Sequence, residues 1–340
     1  MTARNSRAFR DHFASQGEIS GRLHFAHSRE TGDDRPLALV IWRKDEAGLG
    51  ATLGTVMRGI QVSDWLGALP YVDTSRYWTS YSDSSDEGDF PSTDLWHQLF
   101  EPLSEVTERR LQEGRYRVLM TDGRHPTVPA STALEDYRKL WGRVRLREDT
   151  SAYLSERARR LGLNSSTLGV HFRSGDMRSA PGHPTPPTFD QVASAVSRAL
   201  DSMDFQHVFV ATQLESDQDR FRARFGKRVV SHPNLRGGSE ARRSSIPFAS
   251  GTRAKYLEPG AGFRLAREAL LDIFSLSLCG GIVGGTSNIT LWAKVLKGSP
   301  FIHQALIANG RNPNSKFKSR VRWHVRSRLP NSLGGFPPSW

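Results

Sequence analysis

The chain has 340 residues, of which 37% are hydrophobic, 24% charged and 9% aromatic, and its formal charge is +12. That length accommodates two domains of ordinary size, each with its own core. No stretch approaches the roughly 20 consecutive apolar residues of a membrane-spanning helix, and the opening MTARNSRAFRDHFASQ is too polar for a secretory signal. A single cysteine, Cys279, permits neither an internal disulfide nor a multi-cysteine metal site, so a reducing, cytoplasmic setting is expected.

The charge is unevenly spread. No Asp or Glu follows Asp272, whereas Lys294, Lys297, Arg311, Lys316, Lys318, Arg320, Arg322, Arg326 and Arg328 supply nine positive charges. Such a run attracts polyanions, whether nucleic acid, an anionic membrane surface or a charged substrate. A nucleic-acid module would interleave aromatics with the run, and only Phe317 and Trp323 do so, which argues against that partner. Peripheral attachment of residues 311 to 328 to an anionic surface is compatible with the pattern.

In chain order, residues 1–36 are weakly patterned and read as a peripheral segment. A first domain is expected over 37–163. It opens on the buried strand LALVIW, Leu37 to Trp42, followed by AGLGATLG and a helical pattern through Ile60. Gly48, Gly50 and Gly54 depart from the dinucleotide spacing, although strand, glycine turn and helix in that order aim backbone N–H groups at a polar ligand. Leu69 to Val72 reads as a strand, and Tyr71, Tyr77, Trp78 and Tyr81 beside it suit stacking on a sugar or satellite core packing. Asp94 to Arg110 has helical spacing interrupted by Pro102. Tyr116 to Met120 is a further strand, and Thr132 to Gly162 two helices.

The second domain, 164–305, centres on Thr167 to Asp176, TLGVHFRSGD. Its apolar half predicts a buried strand that carries His171, Arg173 and Asp176 to its carboxyl end, where ligands of open α/β sheets sit. Arginine's planar fork matches phosphate oxygens. The alternative is a local Arg173–Asp176 ion pair with His171 in the core. PGHPTPP, Pro181 to Pro187, forbids helix, and Thr188 caps the helix that follows. Strands at His207 to Thr212 and Arg228 to Ser231 flank a helix at Asp217 to Phe225. A long excursion, 233–262, precedes the apolar helix Arg264 to Cys279, where Cys279 reads as a buried structural thiol. A short strand, Ile282 to Gly285, brings Thr286 and Ser287 to a helix start, which suits either phosphate binding or simple N-capping. Residues 306–340 form a basic C-terminal tail. The expected fold is α/β, with two Rossmann-like domains facing a cleft, a nucleotide in the C-terminal one and an acceptor on the other.

GVHFRSGD, then HVFVAT, then LLDIFSLSLCGGIVGGTSN resemble, in order and spacing, the three donor-binding motifs of the fucosyltransferase superfamily. That superfamily contains GT-B enzymes such as α-1,6-, nodulation-factor, α-1,2- and protein O-fucosyltransferases. AGLGATLG and PYVDTSRYW…DLWHQLFEPL resemble its N-terminal half more loosely. The resemblance implies a GDP-sugar donor, most often GDP-fucose, no further cofactor, and metal-independent inversion at the anomeric carbon. The acceptor would be a glycan, glycolipid, peptide or natural product. It implies that Arg173 neutralises the departing β-phosphate, that His171 and Asp272 contact ribose or guanine, and that Thr286, Ser287 and Asn288 hold phosphate oxygens. Gly48 and Gly50 would close the donor side, and Tyr256 would line the guanine pocket. For the base that takes the acceptor proton, Glu46 is the first choice, with Asp45, Asp176 and His183 behind it. Two departures stand out: Ser174 replaces a second basic residue, and Gln213 and Leu214 replace acidic residues after the second strand. The competing readings are a transferase with another nucleotide donor, and a non-catalytic polyanion binder using the basic tail.

Overall fold

The computed structural model describes residues 23–25, 34–43, 48–75, 81, 94–121, 133–233 and 260–337. The chain divides into two compact units, residues 1–150 with 253–266 and residues 151–252 with 267–340.

The first unit is built on a four-stranded sheet in the order β1-β4-β2-β3, with β1 at Leu23–Phe25, β2 at Leu37–Ile41, β3 at Leu69–Val72 and β4 at Arg117–Thr121. β3 and β4 flank β2 in parallel, while β1, within the segment read as peripheral, pairs antiparallel with β4. Alternation along β2 gives each face its own core: Ala38 and Val40 pack with Tyr71, Val106, Tyr116 and Val118. Helix α1, Leu49–Leu66, buries Leu49, Leu53, Val56, Met57 and Ile60 at helical spacing.

One expectation changes here. The glycine stretch is not an extended turn: Gly48 is the N-cap and Gly50 and Gly54 lie inside α1. The buried apolar stripe outweighs the helix penalty of about 1 kcal/mol per glycine. The expected interruption at Pro102 is present: the pattern from Asp94 to Arg110 resolves into α2, Leu95–Leu99, and α3, Glu108–Gln112, on either side of it. Asp94 caps α2, accepting from the N–H groups of Trp96 and His97. Helix α4, Ala133–Trp141, follows, and α5, Glu148–Arg160, begins at the end of this unit and belongs mostly to the second.

The second unit holds an all-parallel five-stranded sheet in the order β7-β6-β5-β8-β9, with β5 at Thr167–Phe172, β6 at His207–Thr212, β7 at Val229–Val230, β8 at Gly281–Gly285 and β9 at His303–Ile307. Every residue of β5 is buried, as a strand covered on both faces requires. On one face Leu168, Val170 and Phe172 meet Val192, Val196 and Ala199 of α6, Phe189–Ser202, and Phe221 of α7, Glu215–Phe225. On the other, Phe209, Ala211 and Ile282 meet Leu276 of α8, Ala261–Leu278, Cys279, and Ala293 of α9, Asn288–Lys297. Thr188 caps α6 in a reciprocal capping box with Gln191. The Cys279 thiol is buried, and burial pushes its pKa up to about 12. Among the described residues, no helix is long and apolar enough to cross a membrane.

The stretch read as a basic tail contributes the last two residues of β9 and a last helix, α10, Lys316–Arg326. Its Trp323 is buried and donates its indole N–H to the Pro186 carbonyl at 3.0 Å.

One buried titratable group has a direct consequence for stability. His232, just after β7, lies with its Nε2 2.8 Å from the Ser275 hydroxyl and its ring edge-on to Phe209. Burial, reinforced by Arg157, pushes its pKa down to about 4. The unfolded chain therefore binds a proton that the folded chain refuses. The His232 contribution is complete above its ordinary pKa of 6.5 and is lost as the pH falls from there towards 4. The expected loss is at most on the order of 3 kcal/mol. Thermal melts of wild type and His232→Gln between about pH 7 and pH 5 test this: wild type should lose stability the more steeply, and parallel profiles would place the acid sensitivity elsewhere.

Candidate functional site

The winding of the second sheet locates the site. From β5 the chain steps outward through β6 and β7, then returns to place β8 on the other side of β5. The carboxyl ends of β5 and β8 therefore flank the point where the winding reverses, and there the loops part into a crevice. The register pairs His171 with Gly284. A Cβ at Gly284 would stand 2.5 Å from the His171 carbonyl oxygen, so glycine alone permits this approach.

His171 is buried, and its Nδ1 lies 3.2 Å from the Ser287 hydroxyl. Ser287 is the N-cap of α9, in a reciprocal box with Thr290: its Oγ accepts from the Thr290 N–H and the Thr290 hydroxyl accepts from the Ser287 N–H. Capping and contact with His171 are thus combined in one side chain. Thr286 and Asn288 are exposed beside it, and the first turn of α9 carries no carboxylate. This helix start offers N–H groups, hydroxyls and a positive dipole end, the chemistry that receives an anion.

The loop leaving β5 is fixed from two sides. Arg173 is half-buried and Ser174 buried, and Gly175 turns the chain at a φ of 64° into a single 3-10 turn, Gly175–Arg178. The Ser174 hydroxyl donates to Asp217 Oδ2 at 2.5 Å, and both residues are buried. Asp217 lies in the first turn of α7, with Arg220 Nη1 3.8 Å from its other oxygen. Further along, the Arg178 guanidinium stacks 4.1 Å over the Trp323 ring, and burial lowers its pKa despite Asp217 nearby. The Asn312 amide donates to the carbonyls of Met177 and Ala180 at 2.8 and 2.9 Å, and its oxygen accepts from Thr185. Residues 310–323 thereby staple both the Arg173 loop and the proline-rich segment after it. Sequence reasoning missed this role of Asn312, Asp217 and Trp323, because partners 43 to 137 positions apart leave no spacing signal.

Asp176 sits in the 3-10 turn, and Asp272 is half-buried on α8. His183 is exposed, its carbonyl accepting from the Asn312 N–H at 2.8 Å. In the first unit, Gly48 caps α1, Gly50 is buried in its first turn, and the Leu49 N–H donates to the Tyr81 hydroxyl at 3.1 Å. Asp45, Glu46 and Tyr256 lie outside the described residues. Among the described residues, no three His, Cys, Asp or Glu side chains group as metal ligands.

If the Ser174–Asp217 bond holds the Arg173 loop, Ser174→Ala leaves a buried carboxylate short of a donor. Urea unfolding should show a loss of about 1–3 kcal/mol, with Ser174→Thr restoring most of it. An unchanged midpoint in the alanine variant would show that the loop does not depend on this bond.

No family model matches the chain, and no curated protein does. Among solved structures, it is similar to NodZ alpha-1,6-fucosyltransferase soaked with GDP-fucose, at 16% identity over 77% of this chain and 93% of that one, with a TM-score of 0.49. It is similar to fucosyltransferase NodZ from Bradyrhizobium at 15% identity, over 77% of this chain and 93% of that one, with a TM-score of 0.48. It is also similar to POFUT1 in complex with GDP, at 10% identity over 81% of this chain and 99% of that one, with a TM-score of 0.48.

Proposed function

We propose that the chain is an inverting, metal-independent glycosyltransferase that moves fucose, or a related sugar, from a GDP-sugar to a glycan, glycolipid, peptide or small-molecule acceptor in the cytoplasm. The observation that carries this reading is the meeting of His171 and Ser287 at the winding reversal, beside Arg173 and the start of α9. The order and spacing of GVHFRSGD, HVFVAT and LLDIFSLSLCGGIVGGTSN support the choice of donor.

In this reading the diphosphate lies over the start of α9. Thr286, Ser287 and Asn288 hold its oxygens, and Arg173 faces the β-phosphate. An acceptor oxygen attacks the anomeric carbon from the side opposite the diphosphate. The bond from that carbon to the β-phosphate oxygen breaks, its electron pair leaves with GDP, and a base takes the acceptor proton. Arg173 acts where negative charge grows on the leaving group, so its effect falls on the transition state more than on the ground state. His171 and Asp272 contact ribose or guanine, Tyr256 lines the base pocket, and Gly48 and Gly50 close the donor side. Glu46 is the proposed base, ahead of Asp45, Asp176 and His183.

The first test is ligand-dependent melting with GDP, UDP, CMP and ADP, followed by GDP-fucose turnover, for wild type and Arg173→Ala. GDP at a hundred times its dissociation constant should stabilise wild type by about 2.7 kcal/mol. Arg173→Ala should bind GDP more weakly and lose turnover by about 100-fold or more. A shift with another nucleotide and none with GDP would replace the donor, and no shift with any of the four would remove the nucleotide site altogether.

A further inference from the structure

Helix α10 buries one face only. Ser319 and Trp323, one turn apart, point into the second unit, whereas Phe317, Val321 and Val325, at i, i+4 and i+8, are 75%, 45% and 50% exposed. On either side of this apolar stripe stand cations: Arg320 along one edge, Lys318 and Arg322 along the other, all exposed. Lys316 and Arg328 add charge at the two ends. Among the described residues no carboxylate pairs with Lys316, Lys318, Arg320 or Arg328, and the chain has no Asp or Glu beyond Asp272. Nothing in the nearby sequence neutralises the patch.

We propose that α10 is a membrane-surface helix, which lays Phe317, Val321 and Val325 into the interface of an anionic lipid bilayer while its flanking lysines and arginines meet the lipid headgroups. A polyanion of nucleic acid satisfies the charges but gives the two valines of the stripe nothing to enter. Nucleic-acid grooves use stacking aromatics, and of the two aromatics in this run Trp323 is buried against Pro186 and Phe336. An apolar stripe edged by cations is the arrangement that combines burial in the headgroup boundary with attraction to anionic lipid. The framework role of this segment fits the same use: α10 is anchored through Trp323 and through Arg326, which donates to the Gly334 carbonyl at 3.1 Å, so its outer face is presented on a rigid support. This inference stands on α10 alone and does not depend on the identity of the sugar donor.

Flotation of the full chain with vesicles tests it. Wild type should bind vesicles of phosphatidylglycerol mixed with phosphatidylcholine and not pure phosphatidylcholine. Val321→Ser with Val325→Ser should lower that binding by about tenfold, and Lys318→Ser with Arg320→Ser by a similar factor, both without loss of melting temperature because all four residues are exposed. Insertion has its own readout. Cys279 is buried with its thiol pushed up to about 12, so Phe317→Cys is labelled selectively with an environment-sensitive fluorophore. Its emission should shift to the blue on anionic vesicles. The proposal is overturned if anionic vesicles do not bind, if the double serine variant of the stripe binds them as well as wild type, or if the label stays water-like. It is equally overturned if a DNA duplex competes the protein off the vesicles and binding to that duplex survives loss of the stripe.

Discussion

The site depends first on the close pairing of β5 with β8. Because Gly284 lacks a side chain, the two backbones run together to the last residue before their loops separate, and His171 and Ser287 come within 3.2 Å. A larger residue would push the carboxyl end of β8 from that of β5 and carry the start of α9 with it. The geometry that places an anion-receiving helix end beside Arg173 is therefore a property of backbone packing in the sheet, on which the polar side chains are then hung.

A second constraint is the treatment of charge. Asp217 is a buried carboxylate in a strongly basic chain, and it is tolerated because Ser174 donates to it and Arg220 stands near. The same residue ties α7 to the loop that follows β5. Arg178, half-buried, keeps its charge against the face of Trp323, an environment that suits guanidinium better than ammonium. These contacts spend the polar side chains near the loop on holding it still, which is what a group meant to meet a developing charge requires.

The segment beyond residue 306 illustrates how composition alone misleads. As sequence it is a run of cations with few apolar residues, which reads as a tail. Three of its side chains, Asn309, Asn312 and Trp323, find buried partners far back in the chain, and those bonds make it part of the framework. The basic residues then occupy the outer face of a helix whose inner face is already committed.

Sequence by itself determined the local elements wherever burial enforces a period. The continuous apolar runs of β2, β5 and β6 mark strands covered on both faces, and the spacing of Val192, Val196 and Leu200 behind the Thr188 cap marks α6. Proline marked the break between α2 and α3. Arg173, His171 and Ser287 were legible as site residues because motif order and strand ends are local features. Tertiary structure alone decided that β8 lies beside β5, that Leu49 to Gly54 of the glycine stretch is helical, and that β1, β9 and α10 exist as ordered elements. It also decided that Ser174 is held by Asp217 and the loop by Asn312. The physical reason is range: a period of 2 or 3.6 residues is written by neighbours, whereas these contacts depend on which strand ends the sheet order brings together.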